Sequence, residues 1–377
     1  MTSASRAAVA VRPARAAARF SLGYRPSLDG LRGISILSVM AYHVGLIRGG
    51  FLGVDIFFVL SGFLITSILV EEWGGTGGIS FGKFYMRRAL RLLPALVAVV
   101  IACDLGTVIV ARLYWRPEVF APVAFGMAYA AVVALFYIAN WVMIGGQTLW
   151  ILGHTWSLSI EEQFYLVWPL CLLSLLKWVR RRAVMLSLLA LGAAASLVQR
   201  IALVRAEAPV TRVFFGTDSR FDALLVGCFV GLLASWNLLA PSRRPHRLLG
   251  AAAVVAAAVL ALMLWRAGWR EPVMLRWGLS LVALSAGVLI AEMVARPDGW
   301  LARTLAREPL AVIGRISYGL YLWHFPIVYA CGALAVDDTP PDYPRAALAV
   351  GLTFLVAAAS FQWIERPMLR LKRRFAP

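Results

Sequence analysis

"RPSLDGLRGISILSVMAYHVGLIRGGFLGVDIFFVLSGFLIT", residues 25–66, decides the fold. Two apolar runs flank a glycine-rich break at Gly45, Gly49, Gly50 and Gly53, the pattern of two membrane helices joined by a tight hairpin. The first run carries Arg32 and His43. Ionisable groups are costly in hydrocarbon, so they face a cavity or a partner and mark function. An α-helix turns about 100° and rises about 1.5 Å per residue, so eleven residues come within about 20° of three full turns and advance about 16 Å. The spacing therefore predicts one shared face, with a cation at one end and an imidazole toward the other. Each residue also has a plainer reading. Arg32 is an anchor that snorkels to the inner surface, and His43 is a hydrogen-bonded histidine between helices.

A turn centred near Gly49 sets His43 and Asp55 six residues to either side and at similar depth. A histidine beside a carboxylate is a general base whose tautomer is held by its neighbour. Asp55 reads equally as an acidic residue in the first turn of a helix, where the dipole favours it. Ser61 and Gly62, one to two turns deeper, read as small packing residues.

The same pattern extends over the 377 residues, of which 61% are apolar and 15% charged, with mean hydropathy +0.78. A soluble domain lies nearer half apolar and a quarter charged, so a soluble protein with a large core is excluded. Apolar segments fall at 33–48, 51–70, 92–111, 119–141, 158–176, 184–204, 221–240, 248–265, 274–294, 312–334 and 344–364. The connectors are short and no internal repeat is visible. Eleven crossings would strand the basic tail "ERPMLRLKRRF" (365–375) outside, against the positive-inside rule. The conflict disappears if 119–141 dips in and returns, or lies at the outer interface. The polar-aromatic stretch "NWVMIGGQTLWILGHTWSLSIEEQ" (140–163) follows it directly, and irregular backbone at membrane depth is tolerated where it lines a cavity. The inner segments then hold 26 of the 37 lysines and arginines.

The expected architecture is all-α: a polytopic membrane helix bundle of about ten transmembrane helices plus one irregular or re-entrant segment. Residues 1–24 read as a disordered basic cytoplasmic leader, 25–367 as the transmembrane domain and 368–377 as a basic cytoplasmic tail. The net charge of +18 is explained by basic loops that hold topology against anionic lipid. No basic stretch is interleaved with aromatics as a nucleic-acid surface would be. Cys103, Cys171, Cys228 and Cys331 stand singly in apolar runs with neither metal spacing nor a disulfide framework.

Other polar groups sit at the ends of apolar runs. Lys83, Arg87, Arg88 and Arg91 cluster where a span begins, and Arg88 and Arg91 are neighbours on a helix. Paired guanidiniums suit phosphates, although on charge alone ordinary positive-inside residues explain them as well. Ser159 with Glu162 fits a capping box, while Glu161 is free to orient an acceptor or to favour the helix dipole at an outer mouth. Trp156 and Tyr165 fit sugar stacking or an interfacial aromatic belt. Arg220 and Asp222 begin another span and are placed to pair. Tyr318, Tyr321 and His324 drift around one broad face, and His324 is a second candidate polar group in the cavity or a packing residue. No phosphate-cradling glycine loop, zinc motif or nucleophile elbow occurs.

Together these motifs resemble the acyltransferase-3 family of integral membrane O-acyltransferases. The resemblance rests on Arg32, ten residues and His43, on "GGFLGVDIFFVLSGFLIT" (49–66) and on "FYMRRALRLLP" (84–94). It continues through "HTWSLSIEEQFYLVWPL" (154–170), "DSRFDALLVGC" (218–228), "ISYGLYLWHFPI" (316–327) and "IERP" (364–367). It covers the chain from about residue 25 onward. Members move acyl groups, often acetyl, from cytoplasmic acyl-CoA to hydroxyls of sugars, surface polysaccharides or secondary metabolites. The resemblance implies an acyl-CoA-dependent O-acyltransferase of the bacterial inner (cytoplasmic) membrane, with both termini cytoplasmic. It implies acetyl-CoA as donor, no metal, and membrane lipid and a carbohydrate or glycosylated acceptor as partners. It carries a functional arginine pair onto Arg88 and Arg91. The esterase-like domain that some members append has no counterpart in these 377 residues, so a separate extracytoplasmic protein is a further candidate acceptor. The expected catalytic set is His43, Arg32, Asp55 and Glu161. Arg88, Arg91, Arg87 and Lys83 are expected at the donor, and Trp156, Glu162, Tyr165, Arg220, Tyr321 and His324 at the acceptor side. His43 serves as base or as transient acyl carrier. The rival reading is a transporter or flippase of a lipid-linked sugar or metabolite, which ten spans and buried charges also fit; the lack of a visible inverted repeat counts against it.

Overall fold

The structure is a computed structural model describing residues 21–114, 117–239, 246–335 and 340–375. The leader lies almost wholly outside the described residues. Among them there is no β-strand. Sixteen α-helices follow in order. The first half holds α1 (Pro26–His43), α2 (Gly53–Thr76), α3 (Phe81–Tyr114), α4 (Pro117–Leu135), α5 (Ala139–Ile144), α6 (Trp156–Trp178), α7 (Arg182–Arg205) and α8 (Val210–Phe215). The second half holds α9 (Phe221–Ser235), α10 (His246–Arg266), α11 (Leu279–Ala295), α12 (Trp300–Leu305), α13 (Leu310–Arg315), α14 (Ser317–Ala330), α15 (Tyr343–Ser360) and α16 (Arg366–Lys372). Every predicted apolar segment carries a helix, as a backbone that must satisfy its own polar groups in lipid requires.

Among the described residues, six stretches are long and apolar enough to cross a membrane: Gly50–Thr76, Phe81–Leu113, Arg182–Arg205, Arg247–Arg266, Met274–Ala295 and Tyr343–Lys372. Ala121–Leu135 and Phe221–Ser235 are shorter apolar helices. Absent from both groups are α1, α6 and α14, the helices that carry Arg32, Glu161 and His324. These three depend on the bundle around them.

Two details differ from the sequence reading. The irregular backbone is confined to the end of 119–141 and the stretch after it. That segment is largely the continuous helix α4, and the break comes after Leu135, where Tyr137 takes φ 54°. The short α5 and a 3₁₀ turn at Trp150–Thr155 then lead into α6. The alanine- and valine-rich run to Leu135 is helix-competent, whereas the glycines and polar groups after it are not. Likewise α6 starts at Trp156, a turn earlier than a cap at Ser159 would allow. Ser159 Oγ instead donates back to the Thr155 carbonyl at 3.2 Å and accepts from Ala139 N–H at 3.1 Å.

The core is a stack of closely approaching backbones. The α2–α9 contact is the most extensive, and it is made by two glycines facing each other's helix. A Cβ on Gly62 would stand 2.0 Å from the Leu224 carbonyl oxygen, and one on Gly227 2.1 Å from that of Val59. Small residues here let membrane helices approach closely, which bears out Gly62 as a packing residue. Another close pair is α1–α13, and α14 closes over α1 from the same side.

Candidate active site

Arg32 and His43 lie on the face of α1 that meets α14. Arg32 donates two N–H groups to Ser317 Oγ, at 3.2 and 3.0 Å. The His43 ring lies 5.1 Å from that of His324. Ser317 and His324 are seven residues, two turns, apart on α14, so the two helices run parallel and meet at both levels. The shared face expected from the eleven-residue spacing is present, and it divides the site into two layers about 16 Å apart.

The first layer gathers guanidiniums and carboxylates. Arg88 lies 3.7 Å from Glu162 and stacks 3.8 Å over the Tyr165 ring. Arg32 stands within electrostatic reach of Glu161, Tyr165 and Arg88, and Arg91 within reach of Arg32, Arg88 and Glu365. Ser61 donates to Glu161 Oε1 at 2.7 Å. Arg88 Nε is buried without a hydrogen-bond partner. Three converging guanidiniums, one with an idle buried N–H, form a place for an anion.

This layer changes the roles of several residues. The sequence reading puts Glu161 and Glu162 at the outer mouth near His43. They lie instead one to two turns into α6, in the arginine layer. Tyr165, 2% exposed, clamps Arg88 and offers no open stacking face. Arg87 does not share the layer: its guanidinium is taken up by Glu72 at 3.2 Å and the Phe375 carbonyl at 2.8 Å. Lys83 is exposed near the start of α3.

The second layer holds three imidazoles. His154, in the turn before α6, lies 5.5 Å from His324, ring to ring, and stacks on Phe325 at 5.2 Å. His43 Nδ1 is 3.0 Å from the Val39 carbonyl and His324 Nδ1 is 2.6 Å from that of Tyr321. A carbonyl only accepts, so in each ring Nδ1 carries the proton and Nε2 carries the lone pair. His324 Nε2 is buried without a partner, as are both ring nitrogens of His154, with the Ile151 and Leu322 backbone nearby but outside hydrogen-bonding geometry. Tyr321 ties this layer to α6: its hydroxyl donates to the His154 carbonyl at 2.8 Å and accepts from Ser157 Oγ at 2.5 Å. Tyr318 turns aside and donates to the Leu92 carbonyl at 2.7 Å.

Asp55 does not orient His43. It pairs with Arg220 at 2.9 Å, both side chains 1% exposed. The six-residue loop after His43 makes an excursion, so α2 re-enters beside the middle of α1. Gly50 packs on the Ser38 carbonyl and Gly53 on that of Ser35, and Asp55 continues away from His43. Nor does Arg220 pair with Asp222, which bonds Arg200 at 2.8 Å. Arg220 is boxed by Phe214, Phe58 and Trp156, with ring centroids at 4.7, 5.7 and 5.8 Å. Trp156 is thus part of a buried aromatic cage and not an interfacial belt.

Sequence reasoning missed His154, Ser317, Glu365 and Arg200. For Arg200 the signal was present: a lone arginine inside "LLALGAAASLVQRIALV" (188–204), which is a buried partner-seeking charge by default. Among the described residues no cluster of His, Cys, Asp or Glu is arranged to hold a metal ion.

The acyltransferase-3 family, described as an acyltransferase domain, matches residues 25–362. Peptidoglycan O-acetyltransferase OatA of Listeria monocytogenes is 36% identical over 365 residues, covering 93% of this chain and 56% of that protein. Putative peptidoglycan O-acetyltransferase YrhL of Bacillus subtilis is 35% identical, covering 92% and 55%. O-acetyltransferase OatA of Staphylococcus aureus is 33% identical, covering 93% and 58%. The chain therefore spans a little over half the length of these relatives. No solved structure matches. With nearly the whole helical bundle inside the matched region, the chain belongs to the acyltransferase-3 family, as a multi-pass membrane protein.

Proposed function

We propose that the chain is a membrane O-acyltransferase that takes an acyl group, acetyl in the simplest case, from acyl-CoA and delivers it across the membrane to a carbohydrate hydroxyl. The observation that carries this reading is the polar column along α1: a guanidinium layer at Arg32 and an imidazole layer at His43, bridged by α14. The relatives' names supply the acceptor class, a glycan of the peptidoglycan type.

Arg88, Arg91 and Arg32 hold the phosphates of coenzyme A. The pantetheine arm runs along the column and brings the thioester to His43. There the Nε2 lone pair, fixed by the bond from Nδ1–H to the Val39 carbonyl, acts as base or nucleophile. The Val39 carbonyl takes the orienting role that a carboxylate fills elsewhere. The arginine layer faces the cytoplasm, where 26 of the 37 basic residues lie on the proposed topology, in a bacterial cytoplasmic membrane with both termini inside.

The test uses purified protein in detergent with radiolabelled acetyl-CoA and tri-N-acetylglucosamine as stand-in acceptor. His43→Ala is expected to keep acetyl-CoA binding and lose transfer, whereas Arg88→Ala with Arg91→Ala weakens binding. Transfer at the wild-type rate by His43→Ala would falsify the reading.

A further inference from the structure

We infer that His324 is a second catalytic imidazole, the base that deprotonates the acceptor hydroxyl, while His43 carries the acyl group. This rests on the acyltransferase reading above and divides its chemistry between two residues.

The argument starts from the tautomers. Both Nδ1 atoms face carbonyls of their own helices, at 3.0 Å in His43 and 2.6 Å in His324. Both Nε2 atoms therefore present lone pairs, from rings whose centroids are 5.1 Å apart and tilted by 52°. Two lone pairs cannot bond each other. A buried acceptor left without a donor is costly, and His324, with 0% exposure, keeps its Nε2 unpartnered. The missing species is a group that offers a proton to one nitrogen and reacts with what the other carries. A hydroxyl does both.

His43 is the carrier because it is the more accessible of the pair and shares its helix face with Arg32. His324 has no such route: Tyr321, His154 and Phe325 surround it. His154 stacks on Phe325 and meets His324 edge-on, and acts as a positioning residue.

The two half-reactions balance. In the first, His43 Nε2 attacks the thioester carbonyl, the C–S bond breaks, and the thiolate of coenzyme A leaves. His43 is left as an acyl-imidazolium that keeps its Nδ1–H bond to Val39. In the second, the acceptor O–H passes its proton to His324 Nε2 as its oxygen bonds the acyl carbon, and the C–N bond electrons return to His43. The proton on His324 then passes to solvent, matching the negative charge of the thiolate. The sum is an ester plus coenzyme A.

Rapid-quench labelling with radiolabelled acetyl-CoA separates the halves. His324→Gln is expected to load label onto the protein at the wild-type rate but to discharge it to tri-N-acetylglucosamine about a hundredfold more slowly, the lower end of what a positioned base contributes. Hydroxylamine, a nucleophile that needs no base, should discharge both proteins equally, which a merely structural role for His324 would not produce. His43→Gln should not load. Unchanged discharge by His324→Gln, or lost loading, overturns the division of labour. So does a wild-type protein that transfers acetyl without ever retaining label, an outcome that leaves the acyltransferase reading standing. Failure of the wild-type protein to transfer acetyl at all overturns that reading instead.

Discussion

Arg32 and His43, on one face of one helix, are both met by α14, at Ser317 and His324. The contact at the Arg32 end is a pair of N–H bonds to a single hydroxyl oxygen, and it fixes where that guanidinium points. Ser317→Ala removes the acceptor but leaves the arginine in place. A hydrogen bond to a charged group is worth about 1.5–3 kcal/mol, so kcat/KM for acetyl-CoA should fall roughly ten- to hundredfold, with Ser317→Thr retaining most of it. Steady-state release of coenzyme A, measured with a thiol reagent, is the check.

Neighbouring arginines on α3 should behave differently. Arg87 is held by Glu72 and the Phe375 carbonyl, whereas Arg88 and Arg91 converge on Arg32. Arg87→Ala is expected to lower thermal stability and leave acetyl-CoA affinity within about twofold, whereas Arg91→Ala should weaken affinity tenfold or more, since each 1.4 kcal/mol is about tenfold. Equilibrium binding of labelled acetyl-CoA beside a melting curve for each variant decides the matter. Equal losses of affinity in both would mean that the donor site extends to Arg87.

The Asp55–Arg220 pair is buried on both sides. Removing one partner leaves an uncompensated buried charge, at a cost of about 3–5 kcal/mol. Asp55→Ala should therefore yield little folded protein, and Arg220→Met added to it should restore much of the yield. Size-exclusion profiles in detergent report this directly. No rescue would point to a role for Arg220 beyond its pairing.

Gly62→Ala places a methyl group 2.0 Å from the Leu224 carbonyl oxygen, and a neighbouring backbone cannot swing aside as a side chain can. Overpacking of this kind costs about 1–3 kcal/mol. The melting temperature should fall, while Gly74→Ala, where nothing stands within 4 Å of the added carbon, serves as the neutral control.

Helical periodicity is local, so the common face of Arg32 and His43 is legible in their spacing, as is the close approach at Gly62 in its size. Pairings that depend on register are not. Asp55 looks level with His43 only if the loop between them is a symmetric turn, and a six-residue excursion moves the whole of α2. Glu161 and Glu162 look like mouth residues only if α6 starts at Ser159. A helix that starts one turn earlier carries them into the arginine layer. His154 sits in a 3₁₀ turn with no amphipathic period, and its ring contacts are 167 to 171 residues away in sequence. Nothing local could announce it.

The separation of Arg32 from Ser317 along the chain, 285 residues, has a consequence for how the protein is made. α1 leaves the ribosome long before α14, and neither is apolar enough to be held in the bilayer on hydropathy alone. Until α14 is made, Arg32 lacks Ser317 and His43 lacks the His324 ring. The imidazole pair comes into being only when α14 arrives. A chain halted before Ser317 should therefore bind acetyl-CoA weakly and retain no label.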